Sequence, residues 1–95
     1  GLVALESMSC GLPVVASNIG AIADYVIPNE NGFLYTAGDV NELSVLLKKI
    51  LEIDNYSYEY LSDNARKMAL KYKDEYVKKE FVDKMKSIFI GENNE

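Results

Sequence analysis

Apolar residues near the start of the chain come in short runs broken by glycine, proline and asparagine, while beyond residue 40 they recur at helical spacing. Residues 2–9 (LVALESMS) contain good helix formers, with Leu2, Leu5 and Met8 or Ser9 on one face. Gly11 supplies a left-handed residue just past the helix end, and Pro13 prevents continuation. PVVAS (13–17) then reads as a strand buried on both faces, as in a parallel sheet. NIG (18–20) forms a loop, and AIADYV (21–26) gives one or two helical turns. IPNENG (27–32) is dense in turn residues, and FLYT (33–36) reads as a second short strand.

The remainder predicts helices. Asp39 is placed as an N-cap, and Glu42 three residues on completes a capping-box spacing. The helix that follows runs to about Ile53, with Val40, Leu43, Leu46, Leu47, Ile50 and Leu51 on its apolar face. DNYSY (54–58) breaks it. A second helix is expected over 58–72 through Leu61, Ala65, Met68 and Tyr72. Asp74 then caps a last helix over about 75–90, with Val77, Phe81, Met85, Ile88 and Phe89 facing inward. GENNE (91–95) reads as a frayed polar tail. Lys67, Lys71, Lys73, Lys78, Lys79, Lys84 and Lys86 interleave with acids, the pattern of a solvated face.

Helices alternating with strands require crossover connections and hence a parallel sheet. Two strands of four residues do not make a stable sheet by themselves. The expected fold class is therefore α/β: a partial Rossmann-like unit with few short parallel strands and a helical C-terminal part. Such strands call for neighbours, so the chain reads as the second half of a doubly wound domain.

Composition narrows the function. The chain has 95 residues, enough for one modest domain, and 48 % of them are apolar, enough for a packed core. A net charge of −5 argues against non-specific nucleic-acid or anionic-membrane binding. With no histidine and a single cysteine, most common catalytic and metal constellations are absent, and a reducing, cytoplasmic setting is expected. Cys10 reads as a small buried apolar residue, and Tyr56, Tyr58, Tyr60, Tyr72 and Tyr76 as packing at helix seams, with a carbohydrate-stacking surface as the sharper alternative.

The segment GLVALESMSCGLPVVASNIGAIADYVIPNENGFLY closely resembles the nucleotide-sugar-binding segment of the group 1 retaining glycosyltransferases of the GT-B fold. The match rests on the spacing of Glu6, Gly11, Pro13, Ser17, Gly20, Asn31, Gly32, Gly38 and Asp39, with NAR (64–66) recurring downstream. Ala21, Ala23 and Asp24 depart from the family pattern, which usually has Gly, Pro and Glu there. The resemblance divides the chain into a donor-binding motif region over 1–39, a helical part over 40–91 and a tail over 92–95.

Several expectations follow from that resemblance. The family motif holds two glutamates separated by seven residues, and Glu6 matches the second, which binds the ribose hydroxyls. A carboxylate accepting two hydrogen bonds suits a vicinal diol. The first glutamate would precede Gly1, so no catalytic residue is assigned within these residues. The backbone of Gly1, Leu2 and Val3, at a helix N-terminus, is expected to hold the diphosphate. The implied donor is a nucleoside-diphosphate sugar, with no metal and no other cofactor. The implied partners are the donor, an N-terminal acceptor domain of the same chain and, through an apolar face of the last helix, a second copy; nucleic acid is not expected. These residues alone are expected to be inactive, and the full-length protein to be cytoplasmic, with a peripheral membrane attachment open. Another GT-B-like enzyme (a nucleotide-sugar epimerase or a glycogen-synthase-like polymerising transferase) and a non-catalytic α/β interaction module remain as alternatives.

Overall fold

A computed structural model describes residues 2–94 of the chain and the side chains of 3–88. Its elements run α1 (Leu2–Ser9), β1 (Val14–Ser17), a 3-10 helix (Gly20–Asp24), β2 (Gly32–Tyr35), α2 (Val40–Leu51) and α3 (Asn55–Asn94). The two strands pair in parallel, with Val14 opposite Gly32 and Ser17 opposite Tyr35.

Helix α1 stops where the sequence expects. Gly11 takes φ 79°, its N–H donates to Met8 O at 2.9 Å, and the Leu12 N–H donates to Ser7 O at 3.1 Å. Those two bonds satisfy carbonyls the helix leaves open, the Schellman arrangement. A Cβ at Gly11 would also run into the Arg66 guanidinium. The tight turn folds β1 back along α1, so the start of α1 lies at the carboxyl end of the strands. Cys10 occupies that turn and is exposed, which corrects the expectation of a buried thiol.

The connection from the 3-10 helix to β2 is organised by Asn31, which is fully enclosed. Its Oδ1 accepts from Ile27 N at 2.7 Å and its Nδ2 donates to Tyr25 O at 2.8 Å. Gly32 follows because a side chain there would meet the Val14 carbonyl across the sheet.

One sheet face carries the main core. Met8, Tyr25, Val26, Ala65 and Ala69 are buried together, flanked by Leu5, Val14, Leu34 and Tyr72. The small residues Ala65 and Ala69 let α3 approach α1 closely. On the other face Phe33 and Leu61 are buried, with Val15, Ile50 and Ile53 beside them. Strand β1 is less covered than its apolar run suggests, half-buried along Val14–Ser17, whereas β2 is buried at Gly32 and Phe33.

Helix α2 is capped as expected, with a variation. Asp39 Oδ1 accepts from Glu42 N at 2.9 Å, but the Glu42 carboxylate accepts from Thr36 N at 3.2 Å rather than from the cap residue. The Asp39 N–H donates instead to Thr36 O. Of the six apolar positions expected inward on α2, only Leu43, Leu46 and Ile50 are half-buried. Val40, Leu47 and Leu51 are exposed, because a sheet two strands wide touches only one stripe of the helix.

Helix α3 differs most from expectation. It begins at Asn55 rather than near 58, and Asp54 caps it, accepting from Ser57 N at 2.7 Å. The helix then runs unbroken through Asp74 to Asn94, where two helices and a polar tail were expected. Residues 72–76 (YKDEY) contain no glycine or proline, so nothing there opposes helix propagation. Val77, Phe81, Met85 and Ile88 are exposed rather than inward; Phe89 lies outside the described side chains. Tyr56, Tyr58, Tyr60 and Tyr76 are exposed too, and only Tyr72 packs as a seam residue. Lys67, Lys71, Lys73, Lys78, Lys79, Lys84 and Lys86 are all exposed.

Candidate functional site

Helix α1 carries the candidate site. Its first turn contains no acidic residue, so its positive end is not neutralised from within. The N–H groups of its opening residues, Leu2 and Val3 among them, have no partner inside the helix. Gly1 lies outside the described residues. Val3 is exposed, and its carbonyl accepts from Ser7 Oγ at 3.0 Å. Glu6 is exposed four residues after Leu2, which places it about 6 Å along the axis from the helix start. Its backbone carbonyl accepts from Ser9 Oγ at 2.6 Å.

Glu6 borders a cleft of about 470 Å³ between α1 and α3, lined by Leu5, Glu6, Ser9, Ala69, Leu70 and Lys73. The helices run antiparallel here. Ser62 Oγ donates to Gly11 O at 2.7 Å past the end of α1, and Ala69 joins Met8 in the core one turn or more further along. Lys73, a turn beyond Ala69, is therefore displaced toward the start of α1. It puts a cation on the same cleft wall system as the Glu6 carboxylate. Sequence pattern alone gives Lys73 only a solvated role, because its neighbour in space lies 67 positions back along the chain.

The loop after β1 lies at the same edge. Asn18 N donates to Tyr35 O at 2.8 Å, extending the ladder past the ends of both strands. Asn18, Ile19 and Gly20 are exposed there. Carboxyl ends of parallel strands are where open α/β sheets bind ligands. NAR (64–66), by contrast, has a packing role. Asn64 Nδ2 donates to Glu30 O at 3.0 Å, and Arg66 sits against Gly11 while pairing with Asp63 at 3.1 Å.

The fold and this edge define an α/β unit of the ligand-binding, parallel-sheet kind, with a helix start, a carboxylate and an ammonium gathered at one end. The chain belongs to a family described as glycosyl transferases group 1, whose pattern matches residues 1–68. Among curated relatives, it is 42 % identical over 76 residues to sulfoquinovosyl transferase SQD2 of Arabidopsis thaliana, covering 76 % of this chain and 14 % of that protein. It is 39 % identical over 70 residues to an MMP alpha-(1->4)-mannosyltransferase of Mycolicibacterium hassiacum, covering 73 % of this chain and 17 % of that one. Among solved structures, Anabaena HepE in complex with UDP superposes with a TM-score of 0.68 at 35 % identity, over 75 % of this chain and 19 % of HepE. Sucrose-phosphate synthase from Thermosynechococcus elongatus gives a TM-score of 0.64 at 35 % identity, over 82 % and 22 % of the two chains. The chain thus spans under a quarter of each of these proteins.

Proposed function

We propose that the chain forms part of the donor half of a GT-B glycosyltransferase that moves a sugar from a nucleoside diphosphate to an acceptor hydroxyl with retention. The observation that carries the reading is the position of Glu6 within a segment matching the family: an exposed carboxylate one turn from the start of α1. In this proposal Glu6 accepts hydrogen bonds from both ribose hydroxyls. The backbone N–H groups of Gly1, Leu2 and Val3 receive the diphosphate. Negative charge grows on that diphosphate as the glycosidic bond breaks, and donors already aimed at it stabilise the transition state more than the ground state. Similarity to a protein solved with UDP supports a nucleotide ligand.

On this reading residues 1–95 alone do not catalyse transfer. They supply one carboxylate and part of a phosphate cradle, while the acceptor surface belongs to another domain. A cytoplasmic setting is part of the same proposal. The test is a calorimetric titration of the full-length protein with UDP and GDP. Glu6→Ala is expected to weaken the better of the two by about 10- to 100-fold, the scale of losing charge-assisted hydrogen bonds. Affinity unchanged by Glu6→Ala would sink the ribose assignment, and no binding of either nucleotide would favour an interaction module.

A further inference from the structure

We propose that the α2–α3 junction carries a second carbohydrate site, an aromatic groove for a neutral oligosaccharide, at the opposite end of the sheet from Glu6. The groove has a volume of about 340 Å³ and is lined by Asn29, Phe33, Lys49, Ile53, Tyr56 and Tyr60, among others. Asn29 precedes β2 and Lys49 lies near the end of α2, which returns along the strand. The groove therefore opens at the amino ends of the strands.

Tyr56 and Tyr60 are four residues apart on α3, so they lie on one face of the helix, and both line the groove. They are 87 % and 55 % exposed. Between them and the strand, Phe33 and Leu61 form a buried apolar floor. Polar groups meet at the rim. Lys49 Nζ donates to Asn29 Oδ1 at 3.2 Å and lies 5.9 Å from the Phe33 ring centre. That bond orients the Asn29 carboxamide and leaves its NH2 group, with the other ammonium hydrogens, as donors toward the groove. Past Ile53 the apolar floor continues into a second groove of about 280 Å³, bordered by Tyr58.

Flat, exposed aromatic faces with a few fixed donors match a pyranose ring. Its C–H face stacks on tyrosine, and its hydroxyls accept from amide and ammonium. Two adjoining grooves give room for more than one ring. A phosphorylated ligand suits the place less well, because the junction carries the carboxylates Glu52 and Asp54 against the single Lys49 of the lining. The site needs no part of the donor-site reading; it would hold a sugar chain on the enzyme away from the reacting edge.

The full-length protein is titrated with maltotetraose and with cellotetraose, followed by calorimetry. At least one is expected to bind. The double variant Tyr56→Ala/Tyr60→Ala should weaken that binding about tenfold, the loss of two stacking faces, with UDP affinity unchanged. Both side chains are exposed, so the far-UV circular dichroism should not move. Lys49→Met, which keeps the stem and removes the donor, should weaken oligosaccharide binding as well. The inference is overturned if neither oligosaccharide binds, if the double variant binds as well as the parent, or if UDP displaces the oligosaccharide. Loss of UDP binding by Glu6→Ala without effect on the oligosaccharide keeps the two sites distinct.

Discussion

Asn31 joins the Ile27 N–H to the Tyr25 carbonyl from a fully buried position, so its removal takes a hydrogen-bond partner from both backbone groups. Asn31→Ala is expected to lower unfolding free energy by about 2–3 kcal/mol in urea titrations, the cost of losing those hydrogen bonds around a buried side chain. Tyr72 gives a pH signature. Its hydroxyl donates to Asp24 O at 3.0 Å and its ring meets Tyr25 edge-on at 5.5 Å. Burial, then the nearby negative charge of Asp24, raises its pKa above 10.0. A raised folded value favours the protonated form, so this contribution to stability is full below pH 10.0 and fades as pH climbs through the folded value. Tyr72→Phe should flatten the alkaline limb of a melting-temperature profile; an unchanged limb would remove Tyr72 as its source. At this scale the sequence is readable where residue type and local spacing suffice. The Gly11 stop is found that way, whereas Glu6 and the Asn31–Gly32 pair are singled out only by the family resemblance. Lys73 is found neither way, because what gives it a place beside Glu6 is the antiparallel packing of α1 on α3.

Capping chemistry marks where α2 and α3 begin, and at Asp39 it is local enough to be read from the sequence. Asp39 accepts from Glu42 N, so Asp39→Ala should cost about 1 kcal/mol in thermal unfolding, whereas Asp39→Ser should recover most of it. Asp54 does the same for α3, and the bond it accepts from the Ser57 backbone is the main reason its pKa is lowered below 3.8. A lowered folded value favours the carboxylate. The cap therefore contributes above pH 3.8 and is lost as pH falls through the folded value. Asp54→Asn should retain part of the cap and shed that acid dependence. DNYSY reads as a break, but α2 has already ended at Leu51, and α3 starts one residue after Asp54. The supposed gap at Asp74 fails for a complementary reason. An aspartate caps a helix only where the chain is already leaving one, and residues 72–76 give it no cause to leave.

At the scale of the molecule, α3 outruns the body it packs on. Forty residues at 1.5 Å each make about 60 Å, which matches the 61 Å long axis of the whole molecule. Its first half is anchored by Leu61, Ser62, Ala65 and Ala69, all buried. Beyond Tyr72 the same periodicity continues with none of the described residues covering it, and Val77, Phe81, Met85 and Ile88 form an exposed stripe at spacings of four, four and three. Periodicity alone tells that this face wants cover; it does not say what provides it, which is why an inward placement was expected and an outward one found. A stripe of this kind drives association when the partner surface is absent. Residues 1–95 expressed alone should therefore sediment faster as concentration rises. Val77→Lys/Phe81→Glu, at two exposed positions, should restore a constant coefficient without loss of helicity. The full-length protein should show no such dependence if another part of its chain covers the stripe. A constant sedimentation coefficient for residues 1–95 across the accessible range would dismiss self-association through α3.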